Sequence, residues 1–231
     1  MRIAVVDTET TGTDPEDEVV EVAIVLLERD GGRWLHGGEW SSLLRTSRPP
    51  CVGALATHHI RWEQSQALGS TWGEFVRGTP LGLPVRGVTV LAAHNREFDR
   101  AFIERLDPRL VALPGICTWR CAAHIWPDAP SHSNQALRYH LGLEVEPSGL
   151  PHRALADAQV TATLVLRMLR ERSAAHLIRL TQLPLLLRTV RFGKHRGEPW
   201  SEVPRSYLRW VLDQDFDADV QHTAQHHLSK K

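Results

Sequence analysis

Short apolar runs, each closed by polar or turn-forming residues, divide this chain into strand-sized and helix-sized pieces. Arg2 to Glu9 holds the run Ile3-Ala4-Val5-Val6 and ends in acids, which predicts a buried strand. Thr10 to Pro15 is turn chemistry, punctuated by Gly12, Asp14 and Pro15. Val19 to Leu27, rich in Val and Ile, predicts a second strand; Gly31-Gly32 predicts a hairpin turn and Trp34 to Leu44 a third strand. The opening therefore reads as an antiparallel meander. A short helical stretch is expected over Ala54 to His58 and a helix over Trp62 to Val76.

From Val88 the texture alternates. A buried strand runs to Ala93, and a helix is expected over Arg96 to Leu106 with Asn95 as its N-cap. A short strand over Gly115 to Thr118 leads into a helix ending at Trp126; a further helix over Ser133 to Leu141 is stopped by Gly142. Pro151 opens a long helix reaching about Arg172. Strands that are first antiparallel and then alternate with helices predict an α/β domain, a mixed sheet flanked by helices. Beyond Arg172 the pattern changes. Thr189 to Phe192 reads as a strand, Gly193 to Gly197 as a basic turn bracketed by glycines, and Ser206 to Leu212 and Ala218 to Leu228 as helices. The boundary falls near Ser173, giving one domain over residues 1–172 and a small module over 173–231.

Composition narrows the class. A chain of 231 residues with 42% hydrophobic and 23% charged positions can bury a large core unaided, which excludes disordered, collagen-like and coiled-coil readings. No apolar run approaches the ~18–20 residues of a membrane span. The N-terminal run passes straight into Asp7, unlike a signal peptide. The expectation is a soluble, cytoplasmic protein with no membrane partner. Three cysteines, Cys51, Cys117 and Cys121, make no disulfide framework and read as buried free thiols. Net charge is zero, but it is unevenly spread: 18 basic and 21 acidic residues in 1–172, 9 and 6 in 173–231. An acidic body with a basic C-terminal piece suits a metal site beside a nucleic-acid contact, and on charge alone suits an ordinary solvated face better.

The acids carry the chemistry. Asp7 and Glu9 sit two apart at a strand end, so both side chains face one side of the sheet. Two carboxylates closing an apolar strand are costly unless a cation meets them or the strand end faces solvent, and the pair alone leaves both readings open. Asp99 lies in the first turn of the helix after a strand end. Asp157 lies five residues beyond His152, ~500° of helical rotation, so the two converge only if His152 stays in the loop or first turn. Ligands of open α/β sheets bind where strands end. Oxygen-only donors select Mg²⁺ or Mn²⁺ over zinc. A neutral histidine suits the removal of a proton from water.

Three segments carry a family resemblance: Asp7-Thr8-Glu9-Thr10-Thr11-Gly12, His94-Asn95-Arg96-Glu97-Phe98-Asp99 and His152-Arg153-Ala154-Leu155-Ala156-Asp157. In order and spacing they resemble the three motifs of the DEDDh 3′→5′ exonucleases. Arg48-Pro49, Ala54 to Ile60, Cys117-Thr118 and Ser133 to Leu137 resemble further landmarks of that family. The resemblance implies a ribonuclease H-like fold and two Mg²⁺ ions, with Mn²⁺ substituting. Asp7, Glu9 and Asp157 would hold one ion, Asp7 bridging to a second on which Asp99 acts, and His152 would be the general base. Thr10 and Thr11 would offer backbone amides near the terminal 3′-hydroxyl, Leu55 would wedge against the last base with His58 nearby, and Asn95 and Phe98 would line the cleft. Leu55 and Phe98 read equally as ordinary core.

Phe192 to Gly197, Trp200 and Tyr207 to Trp210 resemble the C-terminal module of a DNA-degrading branch of that family. There Lys194 and Arg196 are possible DNA contacts, and Trp200 and Trp210 could stack on bases; Tyr207 and Trp210, three apart, read as readily as core anchors. The expected function is metal-dependent 3′→5′ hydrolysis of single-stranded DNA or DNA 3′ ends to nucleoside 5′-monophosphates, in DNA repair. The alternatives are an exoribonuclease trimming RNA 3′ ends, a proofreading subunit of a polymerase, and a non-catalytic nucleic-acid-binding module.

Overall fold

A computed structural model describes residues 1–78 and 86–230. Five strands form one sheet: β1 (Arg2–Thr10), β2 (Val19–Asp30), β3 (Arg33–Leu43), β4 (Val90–Ala93) and β5 (Gly115–Cys117), in the order β3-β2-β1-β4-β5. β1, β2 and β3 pair antiparallel, whereas β4 and β5 run parallel to β1. The meander turns at Gly31-Gly32, where both φ angles are positive, 51° and 86°, as a tight hairpin turn requires. A bulge interrupts the outer pair: Leu26 faces Gly38 and Leu27 faces His36, leaving Gly37 unmatched.

Eleven helices are described: α1 (Val52–His58), α2 (Trp62–Leu68), α3 (Trp72–Gly78), α4 (Arg96–Leu106), α5 (Pro108–Val111), α6 (Thr118–Ile125), α7 (Asn134–His140), α8 (Ala154–Leu169), α9 (Ala174–Gln182), α10 (Arg205–Leu212) and α11 (Ala218–Lys230). The alternation of β1 sorts its side chains between two cores. Ile3 and Val5 join Ala154, Ala158 and Val165 of α8 on one face, while Ala4 and Val6 join Phe102 and Ile103 of α4 on the other. Alanines at 154, 158 and 162 let α8 approach the sheet closely. Both faces are thus covered, as a sheet with parallel strands needs.

Several sequence expectations shift. The single helix over Trp62 to Val76 is two, α2 and α3. Gly69 between them is extended (φ −75°, ψ 151°), and its N–H closes α2 on the Ser65 carbonyl. Ser70 then bridges to Leu44. The long helix begins at Ala154, not Pro151. The strand expected over Thr189 to Phe192 reduces to one bridge, Thr189 to Pro199. Cys117 and Cys121 are buried as expected, but Cys51 is exposed at the start of α1.

The chain divides into two compact units, Met1–Thr181 and Gln182–Lys231. The division lies beyond Ser173 because Ala174, Leu177 and Leu180 of α9 belong to the first unit's core. The second unit has a core of its own around Trp200, Val203, Leu208 and Val211. Among the described residues, no helix is long and apolar enough to cross a membrane.

Candidate active site

The C-terminal half of β1 sends its side chains alternately to the two faces of the sheet. Asp7 and Glu9 share the parity of Ile3 and Val5, and so face the α8 side, from which Asp157 approaches in the helix's first turn. Carboxylate oxygens of Asp7, Glu9 and Asp157 all lie within 4.8 Å of one another. Thr8 has the opposite parity and its hydroxyl donates to Asp99 Oδ1 at 2.8 Å, tying α4 to the strand end. Asp7, Glu9 and Asp157 thus form one cluster, and Asp99, held at the same strand end through Thr8, lies close enough for its charge to act on Asp7.

This crowding shows in their proton affinities. Burial, then the charges of Asp99, Asp157 and Glu9, holds the Asp7 carboxyl well above the usual carboxylate range. Glu9 is pushed up to about 8, first by burial and then by Asp157 and Glu21. Burial lifts Asp99 to about 7 against the opposing hydrogen bonds from Thr8. Carboxylates in this state hold protons unless a cation takes their place, and an all-oxygen donor set fits a hard divalent ion.

Asp157 is held from three sides. Its Oδ2 accepts the His152 backbone N–H at 2.7 Å, its Oδ1 the Gln135 side-chain amide at 3.1 Å, and its carbonyl the Asn134 amide at 3.0 Å. His152 is exposed, in the loop before α8, with φ of 62°. That left-handed conformation is uncommon for a residue other than glycine and turns the chain back over Asp157. His152 thus meets Asp157 through its backbone N–H, from the loop before α8.

A fifth acid adjoins this set. Glu21 stands opposite Glu9 in the β1–β2 register and is buried. It accepts two hydrogen bonds from Arg153, at 2.6 and 3.0 Å, and the Ala154 N–H at 2.9 Å. Glu21 thereby caps α8 and fixes Arg153, whose charge partly offsets the rise at Glu9. The sequence reading missed Glu21, Arg153, Asn134 and Gln135 as individual contributors. The acid two residues into the apolar run of β2 was the available signal.

Beside the carboxylates lies a cavity of about 410 Å³ whose lining includes Glu9, Thr10, Cys51, Gly53, Ala54, Thr57, His58 and Phe98. Phe98 is partly buried and packs on Phe102 at 5.1 Å, so it serves both wall and core. A larger cavity of about 940 Å³ adjoins His152, Arg153 and His58.

Other expected contacts change role. The Thr11 N–H is taken by the Glu18 carbonyl and its hydroxyl by Asp17, so Thr11 orders the loop instead of offering an amide. Thr10 keeps its place on the cavity wall, its hydroxyl donating to the Gly12 carbonyl. His58 accepts the Ile60 N–H on Nδ1 and donates from Nε2 to the Thr10 carbonyl at 3.1 Å. Burial holds its pKa below the usual value, so it is a neutral strut and contributes wall alone. Leu55 is partly exposed on α1, whose Ala54 and Thr57 line the smaller cavity. Asn95 starts α4 in a left-handed conformation, and its exposed side chain makes no cap hydrogen bond. In the second unit Lys194 and Arg196 are exposed, while Trp200 is fully buried with its indole N–H on the Thr189 carbonyl, which removes it as a stacking surface.

Comparison with known proteins agrees with this geometry. A family model described as Exonuclease matches residues 4–165. The chain is 32% identical over 238 residues to Exodeoxyribonuclease 10 of Escherichia coli (strain K12), covering 98% of each. A solved structure of Exonuclease X in complex with 5′ overhanging duplex DNA is similar with a TM-score of 0.60 at 27% identity, covering 78% of this chain and 99% of that one. The nuclease domain of 3′hExo, a DEDDh family member bound to rAMP, shares the fold with a TM-score of 0.57 at 18% identity, covering 74% and 92%.

Proposed function

The chain belongs to the exonuclease family, and from that premise we propose that it shortens DNA from the 3′ end, releasing nucleoside 5′-monophosphates, with Asp7, Glu9, Asp99 and Asp157 as its reaction centre. The observation that carries this reading is the meeting of the Asp7, Glu9 and Asp157 carboxylates within 4.8 Å at the end of β1. Likeness to Exodeoxyribonuclease 10 over 98% of each chain supports DNA as the substrate. Single-stranded DNA or a frayed 3′ end fits best, in the service of DNA repair and in the cytoplasm.

Asp7, Glu9 and Asp157 are the residues that would hold a first Mg²⁺, and Asp7 with Asp99 a second, Mn²⁺ serving in either place. Bound there, such ions stabilise charge on the attacking and leaving oxygens of a phosphodiester. The chain's own residues do the rest. His152 takes the proton of the attacking water at a ring nitrogen, and the hydrogen bond from its backbone to Asp157 keeps its loop folded over the carboxylates. Thr10, Ala54, Thr57 and Phe98 enclose the terminal nucleotide in the smaller cavity, limiting water around the reacting ester. Leu55, on the helix whose Ala54 and Thr57 line that cavity, and Asn95, which precedes α4, touch the strand rather than the scissile bond.

The test is a time course on DNA and RNA oligomers labelled at either end, with Mg²⁺. A 3′ label on DNA should leave at once as mononucleotide, while a 5′ label passes through a ladder of shortening strands. Faster digestion of RNA would make the enzyme an exoribonuclease; digestion of neither would leave a binding module.

A further inference from the structure

We propose that the second unit carries its own binding face for single-stranded nucleic acid, built from Lys194, Arg196, Arg209 and Trp210. The face begins with the turn Gly193–His195, where Gly193 has φ of 60°. A side chain on Gly193 would collide with the Tyr207 hydroxyl, 2.5 Å from its Cβ position, so the turn lies directly on α10. Lys194 Nζ stands 5.5 Å from the Tyr207 ring centroid, and the Tyr207 ring lies 5.0 Å from that of Trp210. Trp210 is 44% exposed, in a unit whose other tryptophan is fully buried. Its ring is braced by the tilted Tyr207 ring and by an edge contact with Phe216 at 6.0 Å. Arg209 is its exposed neighbour on α10.

Two features mark this as more than a solvated helix face. Lys194, Arg196 and Arg209 have no ion-pair partner among the described residues; Glu198, three residues past the turn, is engaged by His195 at 2.8 Å. Exposed cations of one sign left unpaired favour a polyanion. Second, an indole held rigid by aromatic neighbours and open to solvent is a stacking platform, and stacking tolerates any base. The Tyr207 hydroxyl and His195 Nε2 are also buried beneath the turn without a hydrogen-bond partner. The face has an end: Asp213 and Asp215, both exposed, follow α10 and repel a phosphate backbone. A strand would therefore lie over Lys194, Arg196 and Arg209, stack on Trp210 and turn away from Asp213.

The inference rests on the proposed action on nucleic acid but uses none of its catalytic residues. The experiment titrates the full-length chain, in EDTA, with a fluorescent thymidine oligomer over a range of salt. Each lost phosphate contact should flatten the plot of log affinity against log salt by ~0.7. The triple variant Lys194→Ala, Arg196→Ala, Arg209→Ala should flatten it by about two. Trp210→Ala should weaken binding about tenfold, at ~1–3 kcal/mol per stacked base, without changing the slope. Asp213→Asn should tighten binding. A triple variant with unchanged melting temperature, affinity and slope overturns the proposal and leaves the face to a protein partner. The catalytic reading fails separately: a parent enzyme that binds the oligomer but never cleaves it in Mg²⁺ would lose its nuclease assignment and keep this face.

Discussion

Glu9 illustrates what a single side chain meets at the end of an apolar strand. It holds its proton up to about 8 because burial and its carboxylate neighbours disfavour the charge. An acid whose pKa is raised by folding binds its proton better in the folded chain than in the unfolded one. Between ~4.5, the ordinary carboxylate range, and about 8 the folded state therefore carries more protons, and stability falls as pH rises through that window. Melting curves in EDTA should decline across it. Mg²⁺ should restore what is lost, by ~2.7 kcal/mol when free ion exceeds its dissociation constant about a hundredfold. A second prediction concerns His152. His152→Ala should lose ~10²–10⁴-fold in turnover while keeping strand affinity and the Mg²⁺ effect on melting. Turnover within a few-fold of the parent would remove His152 from the chemistry. At this scale the clustering of Asp7, Glu9 and Asp157 was approachable only through the order and spacing of the motifs that carry them; the buried acid Glu21, with no motif around it, passed unnoticed. The main-chain partners of Thr11 and His58 were not legible, since they depend on carbonyls brought close by folding.

Among the elements, α8 matters most, since it brings Asp157 to β1. Its alanines let it lie close, and Glu21 stops it where His152 can fold back. Glu21→Ala would free both Arg153 and the Ala154 N–H. Turnover should drop ~10–100-fold, the usual consequence of loosening residues that orient a metal's ligands. KM should change little, and Glu21→Asp should recover part of the loss; equal activity in all three proteins would reduce Glu21 to a packing residue. Most helix and strand identities before α9 were readable from periodicity, and α4 begins and ends where the pattern put it; α5 and α9 were not foreseen, and the strand over Thr189 to Phe192 did not form. The ends that moved were fixed by distant partners. The Pro151–Arg153 entry to α8 is set by Glu21, 132 residues away from Arg153, and the break at Gly69 by the pairing of Ser70 with Leu44.

For the whole molecule, the division into two units sets what can be cut. A chain ending at Thr181 should keep the melting behaviour of the first unit. One ending at Arg172 forfeits Leu177 and Leu180, at ~2–5 kcal/mol for each large core side chain. Circular dichroism melts of both truncations test this; equal stability would mean that α9 contributes nothing to the core. The change of texture and charge after Arg172 does not coincide with the boundary between the units, because the apolar residues of α9 pack in the first.

The unmatched Gly37 bears on how copies of this protein behave at high concentration. β3 lies at the edge of the sheet and is long, 11 residues, with Leu35 about half exposed. A flat edge of that length invites another molecule's strand to add to it. The extra residue bends the strand and puts its outer hydrogen-bonding groups out of step with any regular neighbour. Deleting Gly37 should straighten the edge, and light scattering on slow heating should then rise earlier than in the parent. The glycine thus protects against self-templated growth, a hazard unrelated to the chemistry at the other end of the sheet.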